Sequence, residues 1–191
     1  MRAYPLVVVA LSLIAGSAGF VTHRALLAGS EPTAAVAVIT AAPAPASRSA
    51  PDSPLEWSFM TLTGESKALS SWPGKVTVLN FWATWCPPCL REIPAFMAIQ
   101  NELGADGVQF IGIALDQVEA VTPFVADKGV NYPILVGDAD VIRFMQTLGN
   151  EIGGLPYTAV IDAHGEVLFT HQGEWHAEDA RQILTGALAT P

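Results

Sequence analysis

Short and long hydrophobic patterns alternate along the chain from Leu55 to the C-terminus. The short runs are rich in β-branched and aromatic residues, which is typical of strands, whereas the longer segments have apolar residues three or four positions apart, which is typical of helices. Strands are predicted at Trp57–Leu62, Val76–Phe81, Val108–Ala114, Tyr132–Val136, Thr158–Ile161 and Val167–His171. Helices are predicted at Pro87–Leu103, Val118–Lys128, Ala139–Leu148 and Ala177–Leu188.

The order of these elements predicts the fold class. Strands separated by helices of this length form an α/β sheet with helices on both faces. The last two strands are joined by Asp162-Ala163-His164-Gly165, a turn sequence that predicts an antiparallel hairpin. We therefore expect residues 55–191 to form one domain, with a mixed central sheet that is parallel in its middle and has a hairpin at one edge.

The N-terminal segment from Tyr4 to Val21 contains no charged residue, and it lies between Arg2 and His23-Arg24. Its length is at the lower limit for crossing a bilayer. Residues 1–27 are therefore predicted to be an uncleaved signal anchor or a signal peptide, and we favour the anchor. Both alternatives export the remainder of the chain. Residues 28–54 are rich in Ala, Pro and Ser, and this composition predicts a linker.

The charge of the chain excludes one class of partner. The formal net charge is -9 at pH 7, and no cluster of Lys and Arg is present. Phosphate contacts need such a cluster, so nucleic acid is not an expected partner. A solvated face is the predicted position of the acidic residues Asp116, Glu119, Asp127, Asp138 and Asp140.

The chain has only two cysteines, Cys86 and Cys89, and they follow the strand predicted at Val76–Phe81. Cys86 is expected at the N-cap of the next helix, because Pro87 and Pro88 are tolerated in a first helical turn. Partial positive charge at a helix start favours the thiolate and lowers the pKa of a cysteine below about 8.5. We therefore predict that Cys86 is the attacking sulfur and Cys89 the resolving one.

Two other uses of this cysteine pair are less consistent with the sequence. A structural disulfide gains most by closing a long loop, and this pair closes almost none. A zinc site needs two further ligands, and the four histidines, His23, His164, His171 and His176, show no metal-binding spacing. No metal or cofactor is therefore expected, and a redox-active dithiol is the favoured interpretation.

Three segments, in the correct order, resemble one family. The segment from Phe81 to Pro94 is similar to the active site of membrane-anchored, thioredoxin-like proteins of the TlpA, ResA and CcmG (DsbE) kind. Thr63-Gly64, with Leu69-Ser70 and Gly74-Lys75-Val76, resembles the N-terminal hairpin of that family. Gly154–Thr158, followed by residues 160–162 and 165–167, resembles its cis-proline loop and final hairpin. The resemblance extends from about Leu55 to the C-terminus.

This resemblance implies a thioredoxin-like fold with an N-terminal hairpin extension and a central helix–strand insertion at about Val118–Val136. It also implies that Pro156 is cis and lies beside the dithiol, where the backbone of Leu155 pairs with an extended client segment. Gly153-Gly154 permits the close approach of this loop, although these glycines are equally consistent with the end of the preceding helix.

Several residues near the dithiol are further site candidates. Glu92 lies three positions after Cys89, on the same helical face, and is expected to accept the proton of Cys89. ResA-like proteins have a glutamate at this position; the alternative is an ordinary solvated glutamate. Asn80 stands where thioredoxins often have a buried aspartate, and an amide cannot accept that proton. Trp85 is expected to shield the sulfurs and to contact a client, with a packing role as the alternative. Client contacts are predicted for Trp85, Pro87, Pro88, Leu155 and Pro156.

The resemblance implies an exported protein-disulfide oxidoreductase, most consistent with a specific reductase. Expected clients are the haem-attachment cysteines of apocytochrome c or a copper-centre assembly protein, and the expected electron donor is a transmembrane thiol-disulfide carrier. The expected location is the bacterial periplasm, with an inner-membrane anchor at residues 4–21, or free after cleavage. A general oxidase or isomerase stays open, because dithiol potentials range from about -270 to -120 mV. So do a copper-binding assembly factor and a peroxidase.

Overall fold

The computed structural model describes residues 51–72 and 74–189. Seven strands are found there: β1 (Ser58–Thr61), β2 (Ser66–Ala68), β3 (Val76–Trp82), β4 (Val108–Leu115), β5 (Ile134–Gly137), β6 (Tyr157–Asp162) and β7 (Val167–Gln172). Four α-helices accompany them: α1 (Pro87–Leu103), α2 (Val118–Lys128), α3 (Ala139–Thr147) and α4 (Ala177–Leu188). The predicted signal segment at residues 1–27 and most of the predicted linker lie outside the described residues.

The strands form one mixed sheet in the order β2-β1-β5-β4-β3-β6-β7. The three central strands β5, β4 and β3 are parallel, and the pairs towards both edges are antiparallel. The predicted α/β class, the mixed sheet and the N-terminal hairpin are therefore confirmed. The segment predicted as an insertion contains α2 and the first residues of β5, which lies between β1 and β4.

Strand β2 and the start of strand β5 differ from the sequence prediction for physical reasons. Strand β2, Ser66–Ala68, was not among the predicted strands, since its three residues include none of the β-branched or aromatic types that mark a strand. Strand β5 begins at Ile134, two residues later than predicted. Pro133 precedes it and has no N–H group to donate to a neighbouring strand.

Strand β3 is the centre of the core, and every residue from Val76 to Trp82 is buried. Successive side chains of a strand point to opposite faces, so Val78 and Trp82 pack on one face while Leu79 and Phe81 pack on the other. Each large apolar side chain buried in this way contributes about 1.5–3 kcal/mol. The strand that leads to the cysteines is thus rigidly held.

Helices cover both faces of the sheet, as predicted. Helices α1, α2 and α4 pack on the first face through side chains that include Phe96, Val121 and Leu184. Helix α3 packs on the second face through Phe144 and its neighbours. In the part of the chain that the structure describes, no helix is both long enough and apolar enough to cross a membrane.

The strand directions bring three loops to the edge of the sheet that is formed by the carboxyl ends of β3 and β4. Strands β3 and β4 are parallel, with Trp82 opposite Ala114, so the loop containing Cys86 and the residue Asp116 leave the sheet side by side. Strand β6 is antiparallel to β3, with Tyr157 opposite Phe81, so Pro156 enters the sheet at the same edge. The predicted dithiol and the predicted cis-proline loop therefore lie at the same end of β3.

Candidate active site

Cys86 and Cys89 are joined by a disulfide at the start of α1, with their Cα atoms 5.3 Å apart. Cys86 is the N-cap residue, and prolines occupy the first two helical positions, so the predicted helix start is confirmed. Cys86 is 5% exposed, whereas Cys89 is fully buried. The sulfur nearer to solvent is therefore that of Cys86, and the positive end of the helix favours negative charge on it after reduction.

The residues beside the disulfide differ in exposure. Trp85 is 64% exposed, which is unusual for so large an apolar side chain. Pro87 is exposed and Pro88 is partly buried. This exposure is inconsistent with a core-packing role for Trp85, and it leaves the indole ring accessible to a visiting protein.

Glu92 faces the interior rather than solvent, because only 2% of the residue is exposed. Its Oε1 accepts a hydrogen bond from Asn80 Nδ2 at 2.8 Å, and its Oε2 accepts one from the backbone N–H of Trp175 at 2.9 Å. Burial raises the pKa of Glu92 to about 7, and the two hydrogen bonds oppose this rise. The alternative of a solvated helix glutamate is therefore wrong.

Asn80 lies on β3 directly beneath Glu92. Its side-chain amide donates to Glu92, and it is 3.5 Å from Thr158 Oγ1 on β6. An aspartate at this position would place a second buried carboxylate against the first, and like charges in such a site disfavour ionisation of both. The amide instead supplies a donor, which is the group that a buried carboxylate needs.

Asp116 holds the loop that precedes the cysteines. The backbone N–H and the hydroxyl of Thr84 both donate to Asp116 Oδ2, and the N–H of Gln117 donates to Oδ1. Burial raises the pKa of Asp116, but these hydrogen bonds outweigh it and hold the pKa below its ordinary value. Asp116 is partly exposed, but it also accepts hydrogen bonds from the cysteine loop, a contact that the prediction of a solvated face does not include. Its position directly after β4, beside the cysteine loop, was the available signal.

The Leu155–Pro156 peptide bond is cis, as predicted. Pro156 is buried and Leu155 partly buried. The side chain of Asn150, which the sequence analysis did not single out, braces this loop: its Nδ2 donates to the Gly154 carbonyl at 2.8 Å, and its Oδ1 accepts from the Gly154 N–H at 3.2 Å.

Gly153 has a φ of 67°, a left-handed conformation that favours glycine. Helix α3 ends at Thr147, well before this position. Gly153 and Gly154 therefore do not terminate that helix, and the alternative explanation for them is wrong. They belong to the loop that delivers Pro156 to the edge of the sheet.

Residues 172–175, which we call the bridging segment, connect the cis-proline loop to α1. The Gly173 N–H donates to the Pro156 carbonyl at 2.9 Å, and Gln172 Nε2 donates to the same carbonyl at 3.1 Å. Two residues later, the Trp175 N–H reaches Glu92. Sequence reasoning missed this segment, since its contacts are distant in sequence and polar backbone groups leave no pattern.

The described residues contain no group of three or more His, Cys, Asp and Glu side chains placed to hold a metal ion. Glu92 and Asp116 are titratable groups near this edge, and the cysteine pair titrates only after its disulfide is reduced. A reversible disulfide, with a buried carboxyl group of near-neutral pKa on the same helix, is suited to coupled electron and proton transfer.

Comparison with known proteins supports this chemistry. The Redoxin family model matches residues 36–187 of the chain. The thiol-disulfide oxidoreductase ResA of Halalkalibacterium halodurans is 36% identical over 113 residues, which are 59% of this chain and 62% of the relative. The chain thus spans less than two thirds of the length of that relative. The thioredoxin-like protein YneN of Bacillus subtilis is 30% identical over 133 residues, which are 68% of this chain and 75% of the relative.

A solved structure shows the same fold. The crystal structure of a thiol:disulfide interchange protein of the thioredoxin family from Chlorobium tepidum superimposes with a TM-score of 0.64 at 32% sequence identity. The match covers 74% of this chain and 99% of the other. The resemblance inferred from the three sequence segments is therefore confirmed at the level of fold and family.

Proposed function

Because the chain belongs to the Redoxin family of thioredoxin-like thiol-disulfide oxidoreductases, we propose that it reduces specific disulfides of client proteins outside the cytoplasm. The observation that carries this proposal is the Cys86–Cys89 disulfide at the start of α1, beside the cis bond that precedes Pro156 and on the same helix as the buried Glu92. A disulfide without a redox role has no need of a buried carboxyl group with a pKa near 7.

The proposed reaction has two exchange steps. First, the Cys86 thiolate attacks one sulfur of the client disulfide; a Cys86–client bond forms, the client S–S bond breaks, and one client sulfur leaves as a thiolate. Second, the Cys89 thiolate attacks the Cys86 sulfur, the Cys86–Cys89 bond forms, and the second client thiolate is released. Two electrons pass to the client, and a dithiol donor then returns the protein to its reduced state.

Glu92 is proposed to take the proton of Cys89 before the second step. Glu92 lies three positions after Cys89 on one helix, so their side chains share a face. A base acts best when its pKa is near the working pH, and burial has raised the pKa of Glu92 to about 7. The hydrogen bonds from Asn80 and Trp175 keep the carboxylate form accessible in the interior.

The client is proposed to bind across the carboxyl edge of the sheet. Trp85, Pro87 and Pro88 form the face on one side of Cys86, and Leu155 and Pro156 form the face on the other. An extended client segment pairs with the backbone at Leu155, which places its sulfur opposite Cys86. Proline has no N–H group, so Pro156 does not compete for the thiolate by donating a hydrogen bond.

The physiological setting is proposed from the resemblance to ResA and its relatives. The clients are apocytochrome c haem-attachment cysteines or a copper-centre assembly protein, and a transmembrane thiol-disulfide carrier supplies electrons. The domain works in the bacterial periplasm, attached to the inner membrane through residues 4–21. Two relatives named as thiol-disulfide exchange proteins support the reaction class.

Cysteine trapping in cells tests the proposal. Cys89→Ser leaves the first step intact and blocks the second, so a mixed disulfide between Cys86 and the client should accumulate. Cys86→Ser is the matched control and should trap little. Non-reducing gels followed by mass spectrometry would identify the client. Equal trapping by the two variants contradicts the assigned roles, and trapping of cytoplasmic proteins alone contradicts the proposed location.

A further inference from the structure

Two neighbouring residues of α1 contact two neighbouring residues of the bridging segment. At the surface, Arg91 Nε and Nη2 donate to Glu174 Oε2 at 2.9 and 2.6 Å. In the interior, the Trp175 N–H donates to Glu92 Oε2 at 2.9 Å. An exposed ion pair and a buried hydrogen bond therefore join the same two pieces of backbone, side by side.

We infer that Arg91 is a positioning residue: through Glu174 it keeps the bridging segment aligned with α1, so that the Trp175 N–H stays on the Glu92 carboxylate. This inference rests on the proposed function, because it gives Arg91 a part in the proton transfer assigned to Glu92. Arg91 itself touches neither sulfur nor client in this role. It acts on the reaction only through the carboxylate that its neighbour carries.

The ion pair contributes little to holding the fold together. The Arg91 side chain is 59% exposed, and ion pairs at such positions add little stability. The indole of Trp175 anchors its own side chain in the core, since it stacks on Phe169 and His171 and meets Phe96 edge-on, whereas the ion pair holds the neighbouring residue Glu174. Loss of Arg91 should therefore leave the protein folded and change only the local alignment of the peptide that reaches Glu92.

The charge of Glu174 raises the pKa of Glu92. Glu174 in the bridging segment is the charged group of another element that acts on Glu92, while Asn80 on β3 is neutral. The Tyr132 hydroxyl before β5 is affected in the other direction: burial, and then the charge of Glu92, raise the pKa of Tyr132. The hydrogen bond from Arg91 holds the pKa of Glu174 below its ordinary value, so Glu174 is charged. Its charge repels that of Glu92 and raises the pKa of Glu92.

Removing Arg91 should therefore raise the pKa of Glu92 for two reasons. The unbalanced Glu174 carboxylate raises the pKa of Glu92, and a weaker hydrogen bond from Trp175 raises it too, because that bond favours the charged form. His176 also acts on Glu174, and His171 Nε2 lies 3.3 Å from the Glu174 carbonyl oxygen. Both effects reduce the fraction of Glu92 that is deprotonated, and so able to accept a proton, at neutral pH.

The test is a titration of Glu92 in the oxidised full chain, followed by carbon-13 NMR of its side-chain carboxyl group and assigned with Glu92→Gln. In Arg91→Met the midpoint should rise by about 0.5 to 1 pH unit. From a starting pKa of about 7, this rise corresponds to a disulfide-exchange rate at pH 7 that is about twofold to fivefold lower. Arg91→Lys keeps the positive charge, so its Glu92 midpoint and its exchange rate should be close to those of wild type.

The chain offers a matched control on the same helix. Arg181 on α4 donates to Glu102 Oε2 near the other end of α1, at 2.8 Å, and this pair is also partly exposed. Glu102 lies ten positions after Glu92 on the helix, a distance of about 15 Å along its axis. Arg181→Met should leave the Glu92 midpoint and the exchange rate unchanged.

Two results overturn the inference: an unchanged Glu92 midpoint in Arg91→Met, or an equal rise in Arg181→Met. The titration is measured on the disulfide form and needs no client. A wild-type protein that exchanges no disulfide would therefore contradict the proposed function, while the predicted rise in Arg91→Met would still support the positioning role.

Discussion

At the scale of single residues, Glu92 shows how burial shifts the pKa of a carboxyl group. Two donors, from Asn80 and Trp175, satisfy one oxygen each. They do not fully replace hydration, so burial dominates and the pKa of the carboxyl group rises to about 7. The same shift that suits the group to proton transfer also makes its charged form costly to the fold.

Glu92→Gln should therefore remove a pH dependence of stability. The folded pKa is raised from 4.5 to about 7, so the native state keeps a proton that the unfolded chain has already lost. The stability linked to this proton is fully present below about pH 4.5 and is lost as the pH rises through 7, by about 3 kcal/mol. Urea unfolding of the oxidised protein between these limits should show the decline in wild type, and Glu92→Gln should show much less.

Glu102→Gln is the control for this experiment, since Glu102 is half-exposed on the same helix. It should retain the wild-type decline of stability with pH. If Glu92→Gln and wild type lose stability in parallel, then Glu92 is not the group whose titration is linked to folding, and its assignment as the proton acceptor loses its physical basis.

At the scale of elements, the end of β4 stabilises the loop that follows β3. Asp116 accepts two hydrogen bonds from Thr84, two residues before Cys86, and one from Gln117 at the start of α2. One carboxylate thus ties the cysteine loop to the neighbouring strand and to the inserted helix. The sulfur of Cys86 is placed by this tie as well as by its own helix.

Asp116→Ala should destabilise the protein by about 1–3 kcal/mol, because it leaves the partly buried Thr84 donors without their charged acceptor. Reduced Cys86 should also react with an alkylating agent over a wider range of rates, since its loop loses a fixed contact. Asp138→Ala is the matched control, because Asp138 is exposed at the same edge of the sheet. Equal losses of stability in the two variants, measured by denaturant unfolding, would contradict the claim that Asp116 stabilises the cysteine loop.

Local signals account for what the sequence predicted. Helices α1, α2 and α4 have the predicted ends, because proline at a helix start and apolar spacing act over a few residues. The position of Cys86 at the start of α1 follows from the same short-range signals, whereas the inward position of Glu92 is favoured chiefly by the resemblance to ResA-like proteins. Contacts across the fold left no such pattern: Asp116 meets Thr84 from 32 positions away, and Trp175 meets Glu92 from 83.

At the scale of the whole domain, Ser53 and the β6–β7 turn lie at the end of the sheet opposite the disulfide. Ser53 lies against the β6–β7 turn, where a Cβ atom on Gly165 would come within 2.6 Å of its Oγ. Strand β6 starts beside Phe81 and ends beside Val76, so this turn and Cys86 are separated by the length of β3. Seven residues of strand span about 23 Å.

This separation predicts that residues 1–50 are dispensable for the chemistry of the isolated domain. A chain beginning at Pro51 keeps the contacts of Ser53, Leu55 and Trp57, so its melting temperature and its exchange rate with a small soluble disulfide should match those of the full chain. A chain beginning at Ser58 loses Trp57, whose ring stacks on Phe144 at 4.8 Å. It should lose about 1.5–3 kcal/mol or more of stability. Thermal unfolding of the two truncated chains separates these outcomes.

Two results would contradict the prediction. A large loss of stability or exchange rate on removing residues 1–50 alone would show that the domain depends on chain beyond the described contacts. Equal stability of both truncations would show that the N-terminal aromatic packing adds nothing to the fold.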